Sequence, residues 1–238
     1  MASLGGAAVA RQLSAAGGAA VLVIAALRPG PVGWLAGLAY TAGLVWLLAS
    51  ATRRAGEVTL GPAGLVTLAR AVLVGGVTAL VADGLMTGHV PVPALVGLAG
   101  VALLLDAVDG QVARRTGTAT ALGARFDMEV DAALLMVLSV QAAHDLGPWV
   151  LAIGLMRYGY VAASWVRPWL AGSLPPLLVT KAIAALQGIA LVVAVSGVLP
   201  RPGATLLVAG SLALLTWSFA HHVQRLRRAR AAAARTIR

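Results

Sequence analysis

The sequence predicts an all-α, polytopic integral membrane protein. Of its 238 residues 60% are hydrophobic and only 11% are charged, where a soluble domain carries about 25% charged residues. The apolar residues also fall in long continuous runs rich in Leu, Ala and Val, without the alternation of a transmembrane barrel strand. So few charges do not cover a water-facing surface of this size, and lipid must solvate most of it. No polar stretch is long enough to build a separate soluble domain.

A spanning helix needs about 20 mostly apolar residues. Polar and Pro/Gly breaks divide the chain into candidate spans at roughly 12–27, 32–51, 62–82, 91–109, 127–144, 148–166, 177–199 and 204–223. The first is short. Arg11 before the apolar run Ala15 to Leu27 has the outline of a signal peptide, but no small-residue cleavage site leads into a soluble chain and a second apolar run follows at once. A retained first helix is therefore expected. Glycines inside the runs, such as Gly75-Gly76 and Gly97 with Gly100, read as places where helices approach closely.

The net charge of +10 is spread over short arginine clusters between apolar runs. It reads as a topology signal and as contact with anionic headgroups rather than as a nucleic-acid surface. With the N-terminus in the cytoplasm, Arg53-Arg54, Arg114-Arg115, Arg125, Arg167 and the tail from Arg225 to Arg238 all reach the cytoplasmic side. The opposite side receives Arg28 and Arg201 with Asp83, His89, His144 and Asp145, as the positive-inside rule requires. Trp34, Trp149, Trp165 and Trp169 fall near helix ends, where amphipathic rings favour the interface. There is no cysteine, which excludes disulfide and thiolate chemistry. His221-His222, with no carboxylate or third ligand nearby in sequence, reads as interfacial rather than metal-binding.

The chain has 8 acidic residues, and most of them crowd into one segment: Asp106, Asp109, Asp127, Glu129 and Asp131. Carboxylates on membrane helices are costly and mark function by default. Asp106 and Asp109 are spaced i, i+3 at the end of the fourth span, and Asp127 and Asp131 are spaced i, i+4 at the start of the fifth, so each pair shares a helix face. A short connection lets the two pairs converge. Four carboxylates in one small site need a compensating charge, and Mg²⁺ or Mn²⁺, which prefers oxygen ligands and leaves positions open for phosphate, supplies it. Glu129 points away by helix phase. Gly110 and Ala113 leave room for a bulky group, Gly123 lets the next helix begin close to it, and Arg114 matches a phosphate in bidentate fashion.

The string Asp106-x-x-Asp109-Gly110-x-x-Ala113-Arg114, then eight residues, then Gly123-x-x-x-Asp127-x-x-x-Asp131, resembles the signature of the class I CDP-alcohol phosphotransferase (CDP-alcohol phosphatidyltransferase) family at every fixed position. The resemblance implies a six-helix catalytic core, expected at 56–223, preceded by a two-helix transmembrane extension at 1–55 and followed by a basic cytoplasmic tail at 224–238. It implies that Asp106, Asp109 and Asp127 are ligands of a two-metal site. Asp131 would be the general base and contact a metal as well. Gly110, Ala113, Arg114 and Gly123, with Asp109 and Asp127, would hold the cytidine nucleotide. The implied reaction is attack by a small polar alcohol or alcohol phosphate on a CDP-linked lipid such as CDP-diacylglycerol, with release of CMP, in phospholipid biosynthesis. The resemblance also suggests a homodimer, and the arginine placement puts the active site on the cytoplasmic face of the inner or plasma membrane.

The family often begins its first core helix with Pro-Asn and a Thr-rich stretch. Here Gly61 to Arg70 keeps Thr67 and Arg70 but lacks the asparagine. Arg70, Arg157 and Lys181 lie in or near predicted spans, where snorkelling, a buried ion pair or an anionic ligand each explains a cation. Arg157 lies deepest and is expected to bind the acceptor phosphate or the lipid diphosphate, with Lys181 assisting. The alternative is an ion-coupled transporter using the carboxylates as a cation site. The Gly-x-x-Ala-Arg stretch, the clustering at one face and the lack of an inverted repeat with paired broken helices count against it.

Overall fold

In the computed structural model the backbone is described for residues 2–55, 60–116, 120–171 and 178–236. Side chains are described for 8–54, 60–108, 120–170, 182–228 and 230. Among the described residues the chain is all-α with no strand. The helices are α1 (Ala2–Leu27), α2 (Pro31–Ala55), α3 (Pro62–Thr87), α4 (Val92–Thr116), α5 (Ala121–Leu146), α6 (Leu151–Val166), α7 (Leu178–Val195) and α8 (Arg201–Thr236). Short 3-10 turns, Pro148–Val150 and Pro168–Ala171, precede and follow α6. Each predicted span falls on one of these helices.

The helices run past several predicted limits. α4 continues to Thr116, α5 begins at Ala121, and α8 carries the basic tail as unbroken helix to Thr236. Hydropathy marks the lipid-embedded part of a helix, whereas the hydrogen-bonded ladder continues wherever no proline or glycine stops it. The consequence is functional: Asp106, Asp127 and Asp131 sit inside helices rather than at their ends.

Among the described residues α1, α2, α3 and α8 hold stretches long and apolar enough to cross a membrane, while the apolar stretches Val92–Val108 and Ala182–Val195 are shorter. α5 is diluted by Arg125, Asp127, Glu129 and Asp131. Leu22, Leu35, Leu104, Trp165, Val198 and Leu206 are each more than two-thirds exposed. Such a spread of bare apolar side chains fits a lipid-facing surface and not a water-facing one.

The chain forms two compact units, residues 1–137 and 138–238. In the first, α3 is the central helix and packs against α1, α2 and α4. Small residues set the α2–α3 approach. A Cβ on Gly33 would lie 2.6 Å from the Ala79 carbonyl oxygen, and one on Gly37 would lie 2.7 Å from Ile24 Cδ1 and 3.2 Å from the Gly75 carbonyl oxygen. This is the small-residue seam that lets membrane helices touch through their backbones.

Two polar contacts fix α3 along its axis. The Gln12 amide on α1 donates to the Leu60 carbonyl (3.3 Å) and accepts from the Leu60 N–H (3.0 Å), just ahead of α3. Near its far end the Asp83 carboxylate accepts from the Gly30 N–H at 2.8 Å, in the tight Arg28-Pro29-Gly30 connection between α1 and α2. Pro62 opens α3, and Gly88, in the left-handed region at φ 68°, closes it.

In the second unit α7 and α8 form an antiparallel pair across Gly197, whose φ of 71° suits a glycine. Ala190, Leu191 and Val208 are buried within the unit, and Gln187 donates from α7 to the Ser211 carbonyl of α8 at 2.9 Å. Tyr160 of α6 meets Phe219 of α8 edge to face, with ring centroids 5.5 Å apart, and its hydroxyl donates to the Leu170 carbonyl at 2.8 Å.

Candidate active site

The site is assembled by α3, α4 and α5 within the first unit. α4 carries Asp106, and α5 carries Asp127 and Asp131 one turn apart on one face. α5 starts where it does because Thr120 caps it: the Thr120 hydroxyl accepts the Gly123 N–H at 3.0 Å, and a Cβ on Gly123 would lie 3.2 Å from that oxygen. The capping threonine precedes the motif's glycine by three residues, an N-cap signal that the motif itself does not include.

Asp106, Asp127 and Asp131 each present a carboxylate oxygen within 4.8 Å of the others. Their side chains are 35%, 32% and 39% exposed, so the cluster is backed by protein on one side and open on the other. Arg70 of α3 forms the back. It is fully buried, and its Nη1 lies 3.0 Å from Asp106 Oδ1. Nη1 also donates to Asp127 Oδ1, and Nη2 donates to Asp131 Oδ1. One guanidinium thus ties three helices together, as a planar fork with several donors can. Among the described residues, three carboxylates thus share this one guanidinium.

Of the residues singled out in the sequence, Asp106, Asp127, Asp131 and Arg70 come together here. Arg70, for which an ion pair and an anionic ligand were both open, makes the ion pair. Thr67 is buried one turn before it, and its hydroxyl donates to the Ala63 carbonyl at 3.1 Å. The side chains of Asp109, Arg114 and Lys181 lie outside the described residues, as do the surroundings of Gly110 and Ala113. The α4 backbone is helical through all of the motif's first half. Arg157 lies half-buried on α6 in the second unit.

Three carboxylates with converging, partly exposed oxygens are a donor set suited to a hard divalent cation, and poorly suited to a soft or thiophilic one. The residues present therefore fit such an ion.

With this geometry in view, comparison with known proteins defines the class. A family model, CDP-alcohol phosphatidyltransferase, matches residues 61–221, a range that contains α3 to α7, most of α8 and the whole cluster. Searches of curated proteins and of solved structures return no match. The chain belongs to the CDP-alcohol phosphatidyltransferase family. It is accordingly an integral membrane transferase of lipid synthesis that uses a CDP-alcohol, from a family that works with divalent metals.

Proposed function

We propose that the protein transfers a phosphatidyl group from a CDP-linked lipid such as CDP-diacylglycerol to a small polar alcohol or its phosphate, releasing CMP. The observation that carries the reading is the convergence of Asp106, Asp127 and Asp131 within 4.8 Å on the open side of a buried arginine, inside the family's motif. Glycerol 3-phosphate and inositol phosphate are the leading acceptors.

The acceptor hydroxyl attacks the lipid-proximal phosphorus. The new bond joins the acceptor oxygen to that phosphorus, and the bond broken is the one to the bridging oxygen, which leaves with CMP. Asp131 takes the hydroxyl proton. A free carboxylate, with a pKa of about 3.9, is a weak base for an alcohol, so the hydroxyl must be made more acidic. Asp106, Asp109, Asp127 and Asp131 would hold one or two Mg²⁺ or Mn²⁺ ions, whose chemistry is to acidify a bound hydroxyl and neutralise charge on a diphosphate. Arg114 pairs with a phosphate of the nucleotide half, and Gly110, Ala113 and Gly123 leave space for it. Arg157, assisted by Lys181, binds an anionic acceptor.

The arginine asymmetry supports a cytoplasmic site, where the nucleotide meets water while the lipid tails stay in the bilayer. The six helices α3 to α8 form the catalytic core, α1 and α2 the extension, and the arginine-rich end of α8 a basic segment at the anionic leaflet. The chain works as a homodimer, as the family resemblance suggests.

The test is CMP release by the purified protein in detergent from CDP-diacylglycerol, with Mn²⁺ or Mg²⁺ and a panel of alcohols. The panel holds glycerol 3-phosphate, inositol phosphate, inositol and serine. Release that needs both the metal and one acceptor, and that vanishes in Asp131→Asn, supports the reading. No release with any acceptor, or full release by Asp131→Asn, refutes it.

A further inference from the structure

We infer that Arg70 is a built-in counter-cation for the carboxylate cluster, and that a divalent cation bound on the cluster's open side competes with its guanidinium for Asp127 and Asp131. The inference deepens the proposed function and rests on its reading of the cluster as the metal site.

The argument starts from the cost of burying charge. An arginine with no exposed side-chain surface in an apolar helix is costly unless it is paired. Three aspartates held within 4.8 Å of one another repel one another in the same way. Each problem solves the other: Arg70 spends both terminal nitrogens on the Oδ1 atoms of Asp106, Asp127 and Asp131. These carboxylates are the cluster's metal-competent groups, so guanidinium and metal ion compete for the same side chains. A cation bound at about 2.0–2.1 Å from such oxygens would sit against the guanidinium as a like charge. α3 is pinned along its axis at Leu60 and Asp83, so Arg70 yields by rotating its side chain rather than by moving its helix. The device keeps the site assembled before the metal arrives, and it weakens metal binding by competing for the same side chains.

Two measurements on the full chain in detergent test this. Neither uses turnover. The first compares Mn²⁺ affinity, by calorimetry, and melting temperature, in EDTA and in Mn²⁺, for the parent, R70Q and R70K. R70Q should bind Mn²⁺ tighter by about tenfold or more, because a positive charge has left the site. Its melting temperature should drop in EDTA and recover in Mn²⁺, while R70K, which keeps the charge, should stay within about threefold of the parent's affinity. Equal or weaker Mn²⁺ binding by R70Q overturns the inference.

The second measurement needs no variant to fold well. The guanidinium ¹⁵N resonances of the parent are followed during Mg²⁺ titration, with Arg70 assigned from R70K. A shift of the Arg70 signals that tracks Mg²⁺ binding agrees with competition, and Arg70 signals that stay fixed while Mg²⁺ binds contradict it. Metal-dependent CMP release with unchanged Mn²⁺ affinity in R70Q would sink this inference alone. Tighter Mn²⁺ binding by R70Q without any CMP release would sink the transfer reaction and leave this inference standing.

Discussion

Arg70 in the first unit and Gln187 in the second are both fully buried polar side chains on apolar helices, yet their surroundings differ in kind. Gln187 donates to the Ile183 carbonyl of its own helix and to the Ser211 carbonyl of α8, while its Oε1 accepts no hydrogen bond among the described residues. Fully buried and bonded to backbone carbonyls of α7 and α8, it is a strap between two helices. Arg70 meets three carboxylates that are each about one-third exposed. A polar group kept only for packing is enclosed by backbone. One kept for chemistry stands behind groups that remain open to a ligand, and the contrast separates structural from functional polarity without reference to any relative.

Substitutions graded by size sharpen or break that contrast. The largest effect belongs to the open cluster: Asp127→Asn or Asp106→Asn should cut CMP release by on the order of a thousandfold or more, as loss of a group that stabilises charge in the transition state does, with the fold retained by circular dichroism. Next is the α2–α3 seam. Gly33→Val places a side chain against the Ala79 carbonyl, where even a Cβ would sit at 2.6 Å. It should cost about 1–3 kcal/mol in thermal or denaturant unfolding and lower the yield of folded protein. Asp83→Ala, which orphans the Gly30 N–H, should cost about 1–3 kcal/mol and leave the metal requirement of CMP release intact. The smallest effect is expected at the strap: Gln187→Leu should change stability by less than about 1.5 kcal/mol, with turnover per folded molecule unchanged. If Gln187→Leu abolished CMP release while Asp127→Asn did not, the contrast would be inverted and the account with it.

Much of this was legible before any coordinates. The apolar runs located all the described helices, because lipid demands long uninterrupted stretches and leaves few ways to break them. Asp106, Asp127 and Asp131 were legible because an acidic residue in such a chain is too costly to be accidental. The true lengths of α4, α5 and α8 were not, since a helix that leaves the bilayer keeps its hydrogen bonds while losing its hydropathy signal. Arg70 was visible as a misplaced cation, but its partners lie 36 to 61 residues away on α4 and α5, and only tertiary packing brings them together. The Gln12–Leu60 and Asp83–Gly30 contacts were hidden for the same reason: a single polar residue meeting a backbone group across helices leaves no periodic trace.

The central claim is that phosphatidyl transfer takes place on the carboxylates in front of Arg70. Its most direct test is the initial rate of CMP release from CDP-diacylglycerol as Mn²⁺ is titrated into the metal-stripped protein and its Asp127→Asn variant. The account predicts a saturable rise from a negligible rate in EDTA for the parent and no comparable rise for the variant. A rate that persists in EDTA, or an Asp127→Asn curve that overlays the parent's, would contradict it.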